Sequence, residues 1–163
     1  MSSRLKNLSV FNPANTHAAG KSFAIVVSEW NSEVTEALKQ GCIDRLIACG
    51  AKQNNITVEY VPGTYELALG ARLFAENSDA DAIICLGCVI QGETRHFDFI
   101  CQAAAQGIMQ VSLDYGVPVV FGVLTTDNLQ QALDRAGGKH GNKGDEAAIT
   151  AIKMANLCEK IGE

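Results

Sequence analysis

Apolar residues follow two rhythms along this chain. One is the unbroken run: "SFAIVVS" at 22–28, "ITVEYV" at 56–61, "DAIICLGCVI" at 81–90 and "VPVVFGVLT" at 117–125. Continuous runs of this length bounded by turn residues predict strands buried on both faces. The other rhythm is a spacing of three and four. Val34, Leu38, Cys42 and Leu46 repeat at helical intervals behind Asn31, a residue suited to an N-cap, and Gly50 ends the pattern. Pro62-Gly63 turns the chain, and Thr64 can cap a helix reaching about Asn77. Phe97, Cys101, Ala104, Ile108, Val111 and Tyr115 form a narrow seam on a long helix, of the kind that packs against other helices. Asp127 with Gln130 resembles a capping box, opening a short helix from Leu129 to Arg135 that Gly137-Gly138 ends. A last helix, from about Gly144, carries Ala147, Ala151, Met154, Ala155 and Cys158 on one face.

Strand and helix patterns alternate, which predicts an α/β fold: a three-layer sandwich with a four-stranded parallel sheet flanked by helices, flavodoxin-like in general architecture. Residues 1–21 keep neither rhythm and are expected to form an N-terminal arm, which could add a strand, ahead of a single domain at 22–163. The balance of 47% hydrophobic and 19% charged residues suits a packed core. A net charge of −5 argues against chain-wide affinity for nucleic acid. No apolar run reaches a bilayer span, and the first twenty residues lack a signal-peptide core, so the expected location is the cytoplasm, without a membrane partner.

Six cysteines need a reason, because Cys85 and Cys88 form a C-x-x-C. Within a strand, residues three apart point to opposite faces and cannot share a metal ion. The expected role of the cysteines is that of small buried hydrophobes in a reducing compartment, with no metal site.

In open parallel sheets, ligands bind beyond the carboxyl ends of the strands. Candidate residues collect there: Trp30 and Asn31 after the first run, Gly63 to Glu66 after the second, and Gln91 to His96 after the third. The fourth run carries Phe121 and leads to Asp127. The sole tryptophan at a strand-to-helix junction can wall a flat heterocycle, or simply cover the core edge. Glu66 can bind a ligand or compensate the helix dipole. "QGETRHF" presents backbone N–H groups at Gly92, Glu93 and Thr94 ahead of a helix, an arrangement suited to phosphate, although many helices begin this way. His96 follows within the first turn of the helix, where an imidazole could act as a base; a capping or surface role is the plain alternative. In "RAGGKHGNKGDE", Arg135 can clamp a phosphate through two donors, or complement a helix C-terminus together with Lys139.

Four blocks then carry a family resemblance: "SEWNSEVTEAL", "VPGTYELALGA", "LGCVIQGETRHFDFI" and "GVPVVFGVLTTDNLQQALDRAGGKHGNKGDEAA". In this order and spacing the chain, from about Phe23 to about Leu157, resembles the lumazine synthases of riboflavin biosynthesis. The resemblance implies a transferase that condenses 5-amino-6-(D-ribitylamino)uracil with 3,4-dihydroxy-2-butanone 4-phosphate, without metal or redox cofactor. It implies stacking of the pyrimidine on Trp30 and on Phe121, the latter from a neighbouring subunit. Thr64, Tyr65 and Glu66 would hold the ribityl chain, with Asn31 also placed among the substrate-binding positions. Cys88, Val89 and Ile90 would bind the pyrimidine through backbone groups. Glu93 and Thr94 would form the phosphate turn, with Arg135, again from a neighbour, as its cationic partner. His96 would transfer protons, and Lys143 and Glu146 would stand near the site.

Further implications concern assembly. Family sites lie between subunits of a pentamer, and the Phe97–Tyr115 seam is where copies are expected to pack. In some relatives twelve pentamers close into an icosahedral shell, which raises riboflavin synthase as a partner; "GGKHGNKG" carries no insertion of the kind that stops at the pentamer. Some members with tryptophan at the Trp30 position bind flavins. A non-catalytic flavin- or pyrimidine-binding protein, or a purely structural shell protein, would use the same fold.

Overall fold

A computed structural model describes residues 7–162 of the chain. Its centre is a parallel sheet of β1 (Phe23–Ser28), β2 (Ile56–Val61), β3 (Ala82–Ile90) and β4 (Val119–Thr126) in the order β2-β1-β3-β4. Four long helices cover it: α1 (Ser32–Ala48), α2 (Leu67–Asn77), α3 (His96–Tyr115) and α5 (Lys143–Gly162), with the short α4 (Leu129–Leu133) preceding α5. The predicted α/β sandwich is the observed fold.

Strand alternation sorts the core into two layers. Ile25, Val27, Leu86 and Cys88 face Leu38 and Leu46 of α1 and Ile152 of α5. Val26, Ile83 and Cys85 face Leu67 of α2 and Ile108 and Val111 of α3. Cys85 and Cys88 therefore sit on opposite faces, as strand geometry requires. The layering also corrects the reading of the α3 seam. Ala104, Ile108 and Val111 are buried within their own chain, and the Tyr115 hydroxyl is hydrogen-bonded to Glu76 of α2. A helix of the same chain thus covers the middle of the seam, while Phe97 and Cys101 are only half-buried. Large apolar side chains of α3 that stay exposed include Phe99, Met109 and Leu113, and Tyr115 is exposed despite its bond to Glu76.

Between α4 and α5 the glycine-rich stretch forms a small antiparallel hairpin, β5 (Ala136–Gly138) and β6 (Gly141–Asn142), which the sequence pattern did not announce. Gly137 and Gly141 take φ of 106° and 83°, conformations that only glycine adopts without strain. Asn142 then locks α5 to α1: its Oδ1 accepts from Gly144 N–H at 2.8 Å, and its Nδ2 donates to the Ala37 carbonyl at 3.0 Å. A two-point ion pair between Arg45 and Asp145 ties the same helices, and the Arg45 guanidinium lies 4.4 Å from the centre of the Phe11 ring.

The described part of the arm forms no strand. It runs along its own chain, with Leu8 N–H donating to the His140 carbonyl and Asn156 Nδ2 donating to the carbonyls of Asn15 and His17. Residues 1–6, the rest of the expected arm, lie outside the described residues.

Burial raises the Cys88 thiol to about 11 and the Cys85 thiol to about 12, so neither is a thiolate near neutrality. Iodoacetamide at pH 7 should label the exposed Cys158 and leave Cys42, Cys85 and Cys88 unmodified until the chain is unfolded. Peptide mass spectrometry of native and denatured samples would decide this; prompt native labelling of Cys88 would contradict the burial.

Candidate active site

The strand order creates one natural crevice. The chain leaves β1 toward the α1 face and leaves β3 toward the α3 face, so these adjacent strands diverge at their carboxyl ends. Trp30 and Asn31 stand on one side of this switch point, Cys88 to Ile90 on the other. Trp30 is 73% exposed, and its backbone N–H donates to the Pro62 carbonyl at 3.2 Å. Asn31 holds the N-cap position of α1 as its place in the sequence suggested, its carbonyl accepting from Val34 N–H at 2.9 Å and Thr35 N–H at 3.0 Å, but its side chain is used elsewhere. Its side chain accepts no bond from α1; instead Nδ2 donates to the Cys88 carbonyl at 2.9 Å, bridging the crevice.

The β2 loop forms the next wall. Thr64 to Glu66 make a single 3-10 turn ahead of α2, with Thr64 buried and Tyr65 exposed. Thr64 does not cap a continuous helix; the Glu66 carboxylate reaches back to accept from Gly63 N–H at 3.0 Å and closes the turn. Gly87, a residue without a role in the sequence reading, allows this wall to approach. A methyl group there would meet Thr64 Oγ1 at 2.7 Å and Leu67 Cδ1 at 3.0 Å. A glycine inside a strand run is the signal that could have revealed it.

Beyond β3 the chain opens into the turn read as a phosphate site. Gln91 N–H is held by the Thr126 carbonyl at 2.8 Å, and Gly92, Glu93 and Thr94 are exposed, with open space around Gly92. The N–H groups of Gly92, Glu93 and Thr94 have no partner among the described residues. Thr94 Oγ1 accepts from the backbone N–H of His96 at 3.3 Å, which bends the chain into α3. His96 opens that helix with its imidazole exposed. Trp30, Asn31, Thr64, Tyr65, Glu66, Cys88, Val89 and Ile90 thus collect at the carboxyl ends of three adjacent strands, and Glu93, Thr94 and His96 follow β3 at that same end. An exposed ring, backbone donors and acceptors, a carboxylate, a helix N-terminus and an imidazole suit a planar polar substrate with an anionic group.

Four candidate residues lie elsewhere. Phe121 pairs in register with Cys85, three residues and about 10 Å down the strand from Cys88. It is partly exposed, on the outer edge of the sheet. Arg135 follows α4 on the α1/α5 layer, between the core residues Ala132 and Ala136, while His96 belongs to the α3 layer. Its guanidinium donates to the Gln131 carbonyl at 2.9 Å, the helix-capping geometry of the simpler reading, and Lys139 pairs with Asp134 at 3.1 Å. Lys143 N–H donates to the Arg135 carbonyl at 2.8 Å, and the Lys143 ammonium pairs with Glu146 at 2.8 Å. Arg135, Lys143 and Glu146 therefore form a second charged group, separated within one chain from the crevice.

Comparison with known proteins adds an independent finding. The family model described as 6,7-dimethyl-8-ribityllumazine synthase matches residues 20–159. Among curated proteins, the 6,7-dimethyl-8-ribityllumazine synthase of Cytophaga hutchinsonii is 58% identical over 154 residues, covering 94% of this chain and 97% of its own. That of Parabacteroides distasonis is 48% identical over 158 residues, covering 96% of this chain and 99% of its own. The protein of the same name from Porphyromonas gingivalis is 55% identical over 133 residues, covering 82% and 83%.

Proposed function

The chain belongs to the 6,7-dimethyl-8-ribityllumazine synthase family, and from that premise we propose that it condenses 5-amino-6-(D-ribitylamino)uracil with 3,4-dihydroxy-2-butanone 4-phosphate. The products are 6,7-dimethyl-8-ribityllumazine, phosphate and two waters. The observation that carries the assignment of residues is the switch-point crevice, where an exposed aromatic ring, a strand end and a helix N-terminus bearing a histidine converge.

Each step has a group placed for it. The pyrimidine stacks on Trp30 and meets backbone groups of Cys88 to Ile90, while Thr64, Tyr65 and Glu66 face the ribityl hydroxyls. The ketone phosphate is held by the free N–H groups of the 92–94 turn. The aromatic amine attacks the ketone and water leaves, giving a Schiff base. His96 removes a proton from the adjacent carbon, phosphate departs, and the ribitylamino nitrogen closes the ring with loss of the second water. Both substrates are reactive, so holding them together accounts for much of the acceleration. His96→Ala should accordingly slow the reaction about ten- to a thousand-fold without abolishing it. Single-turnover lumazine formation measures this, and an unchanged rate would remove His96 from the mechanism.

Arg135 and Phe121 fit this chemistry through a second copy of the chain. Arg135 belongs to the layer opposite His96, and Phe121 lies on the free edge of β4, which supports a reading in which a neighbouring copy brings them to the site. The exposed Phe99, Met109 and Leu113 on α3 supply apolar surface for such packing. These features support sites shared between subunits of a pentamer, which can assemble further into an icosahedral shell. No helix among the described residues is long and apolar enough to cross a membrane, and the cytoplasm is the proposed location.

The test is direct. The purified protein is mixed with both substrates and lumazine fluorescence is followed against the uncatalysed background. A rate far above background supports the synthase; no gain from the assembled protein rejects it in favour of a binding or shell protein.

A further inference from the structure

We propose that Asn31 is a positioning residue whose side-chain amide extends the seam between β1 and β3 by one rung and so sets the orientation of the Trp30 ring. This deepens the proposed function and rests on it for the identity of the stacked ligand.

The β1–β3 ladder ends at Val27 opposite Leu86. Cys88 lies two residues farther along β3, so its carbonyl points to the same side as that of Leu86. No strand remains there to meet it, because β1 ends at Ser28. Asn31 Nδ2 fills the vacancy at 2.9 Å, acting as the donor a longer β1 would have provided. The backbone of Asn31 bends to allow this, with φ 60° and ψ 47°, and Asn15 is the only other non-glycine residue with positive φ among the described residues. Asparagine is one of the few side chains that tolerates this conformation and also carries a donor. The bond is not spent on helix capping, since the Asn31 side chain makes no cap interaction with α1.

The consequence falls on the neighbouring residue. Glu29 N–H and Trp30 N–H are tied to the carbonyls of Val61 and Pro62 at 2.9 and 3.2 Å, on the β2 side. Asn31 ties the same turn to β3 on the other side. Trp30 is 73% exposed, so side-chain packing does little to orient its indole. Its backbone is the part of it held from both directions. A stacking wall must present its face at a defined angle, and here the definition comes through the main chain.

Two variants separate the parts of this arrangement. Asn31→Gly keeps the left-handed backbone and removes the donor. Asn31→Asp tolerates the backbone but sets a carboxylate against the Cys88 carbonyl oxygen. Each is compared with wild type in kcat, in KM for each substrate, in melting temperature, and in the emission and acrylamide quenching of the sole tryptophan. Asn31→Asp should raise KM for the pyrimidine about tenfold, leave KM for the ketone phosphate near wild type, and alter Trp30 emission and quenching. Asn31→Gly should show a smaller effect of the same kind, with a melting temperature close to wild type. Wild-type KM and emission in both variants would overturn the proposal. So would a fall in kcat at constant KM, which would place Asn31 in the chemistry, or equal rises in both KM values with a lowered melting temperature, which would make its role merely structural. If the wild type forms no lumazine, the proposed function fails, while Trp30 emission in the variants still decides whether Asn31 orients the ring.

Discussion

Arg135→Ala is expected to slow lumazine formation by about a hundred- to a thousand-fold, the loss typical of removing one preorganised donor from a developing negative charge. In the chain, one guanidinium N–H is used on the Gln131 carbonyl at 2.9 Å, and the remaining donors have no partner among the described residues. A guanidinium has five N–H donors, so this capping bond leaves a fork that can still take two phosphate oxygens. The loss should appear in kcat and in KM for the ketone phosphate, because phosphate is bound as substrate and stabilised as leaving group. KM for the pyrimidine should stay near wild type. Arg135→Lys should recover only part of the activity, since an ammonium offers charge without the planar fork. The fold should survive, because Arg135 is only half-buried and its carbonyl contact with Lys143 belongs to the backbone. Steady-state kinetics with each substrate varied separately makes the distinction. A change smaller than about threefold would leave Arg135 with its helix-capping bond and nothing more.

Gly144→Ala should have the largest effect on stability, lowering it by about 3 kcal/mol. An added methyl group would lie 1.8 Å from the Leu38 carbonyl oxygen and 2.7 Å from its carbon. Both are main-chain atoms of α1, so no rotamer change can relieve the clash, and α1 and α5 must separate. The strain falls on an interface that also holds the Asn142 bridge to Ala37 and the Arg45–Asp145 pair. For a chain of this size, 3 kcal/mol corresponds to a fall in melting temperature of roughly 10 °C. Gly92→Ala is the control, because its added methyl group has open space and should leave the melting temperature unchanged. Thermal unfolding followed by circular dichroism compares the two. Equal melting temperatures would show that the helices have slack at this crossing.

The crevice residues were readable in the sequence because they obey a local rule. Ligand groups in parallel sheets gather at strand carboxyl ends, and the strand ends were marked by where apolar runs gave way to turn residues. Trp30, Thr64 and His96 could be placed that way. Gly87 could have been, since a glycine within an apolar run announces a close approach. Caps were legible in type and not in partner. Asn31 stands at the N-cap of α1 as read, yet its side chain bonds Cys88, 57 positions away. The capping box read at Asp127 is displaced by one residue: Asn128 Oδ1 accepts from Gln131 N–H at 2.9 Å. A polar side chain next to a helix has several donors and acceptors within reach, and sequence ranks only the nearest ones.

Sequence by itself determined the alternation of elements, the strand limits of Ile56–Val61, the opposite facing of Cys85 and Cys88, and the family. These follow from periodicity and motif spacing, which depend on one stretch of chain at a time. Tertiary structure alone decided that α2 covers the Ala104–Ile108–Val111 stripe, that the glycine-rich stretch closes into a hairpin, and that Arg135 and His96 belong to opposite layers. The physical reason is the same in each case. A pattern of apolar residues states which side of an element seeks cover, but the cover is supplied by whichever distant surface has matching shape and room. Gly144 against the Leu38 carbonyl is a contact of that kind: nothing near either residue in the chain foretells the other.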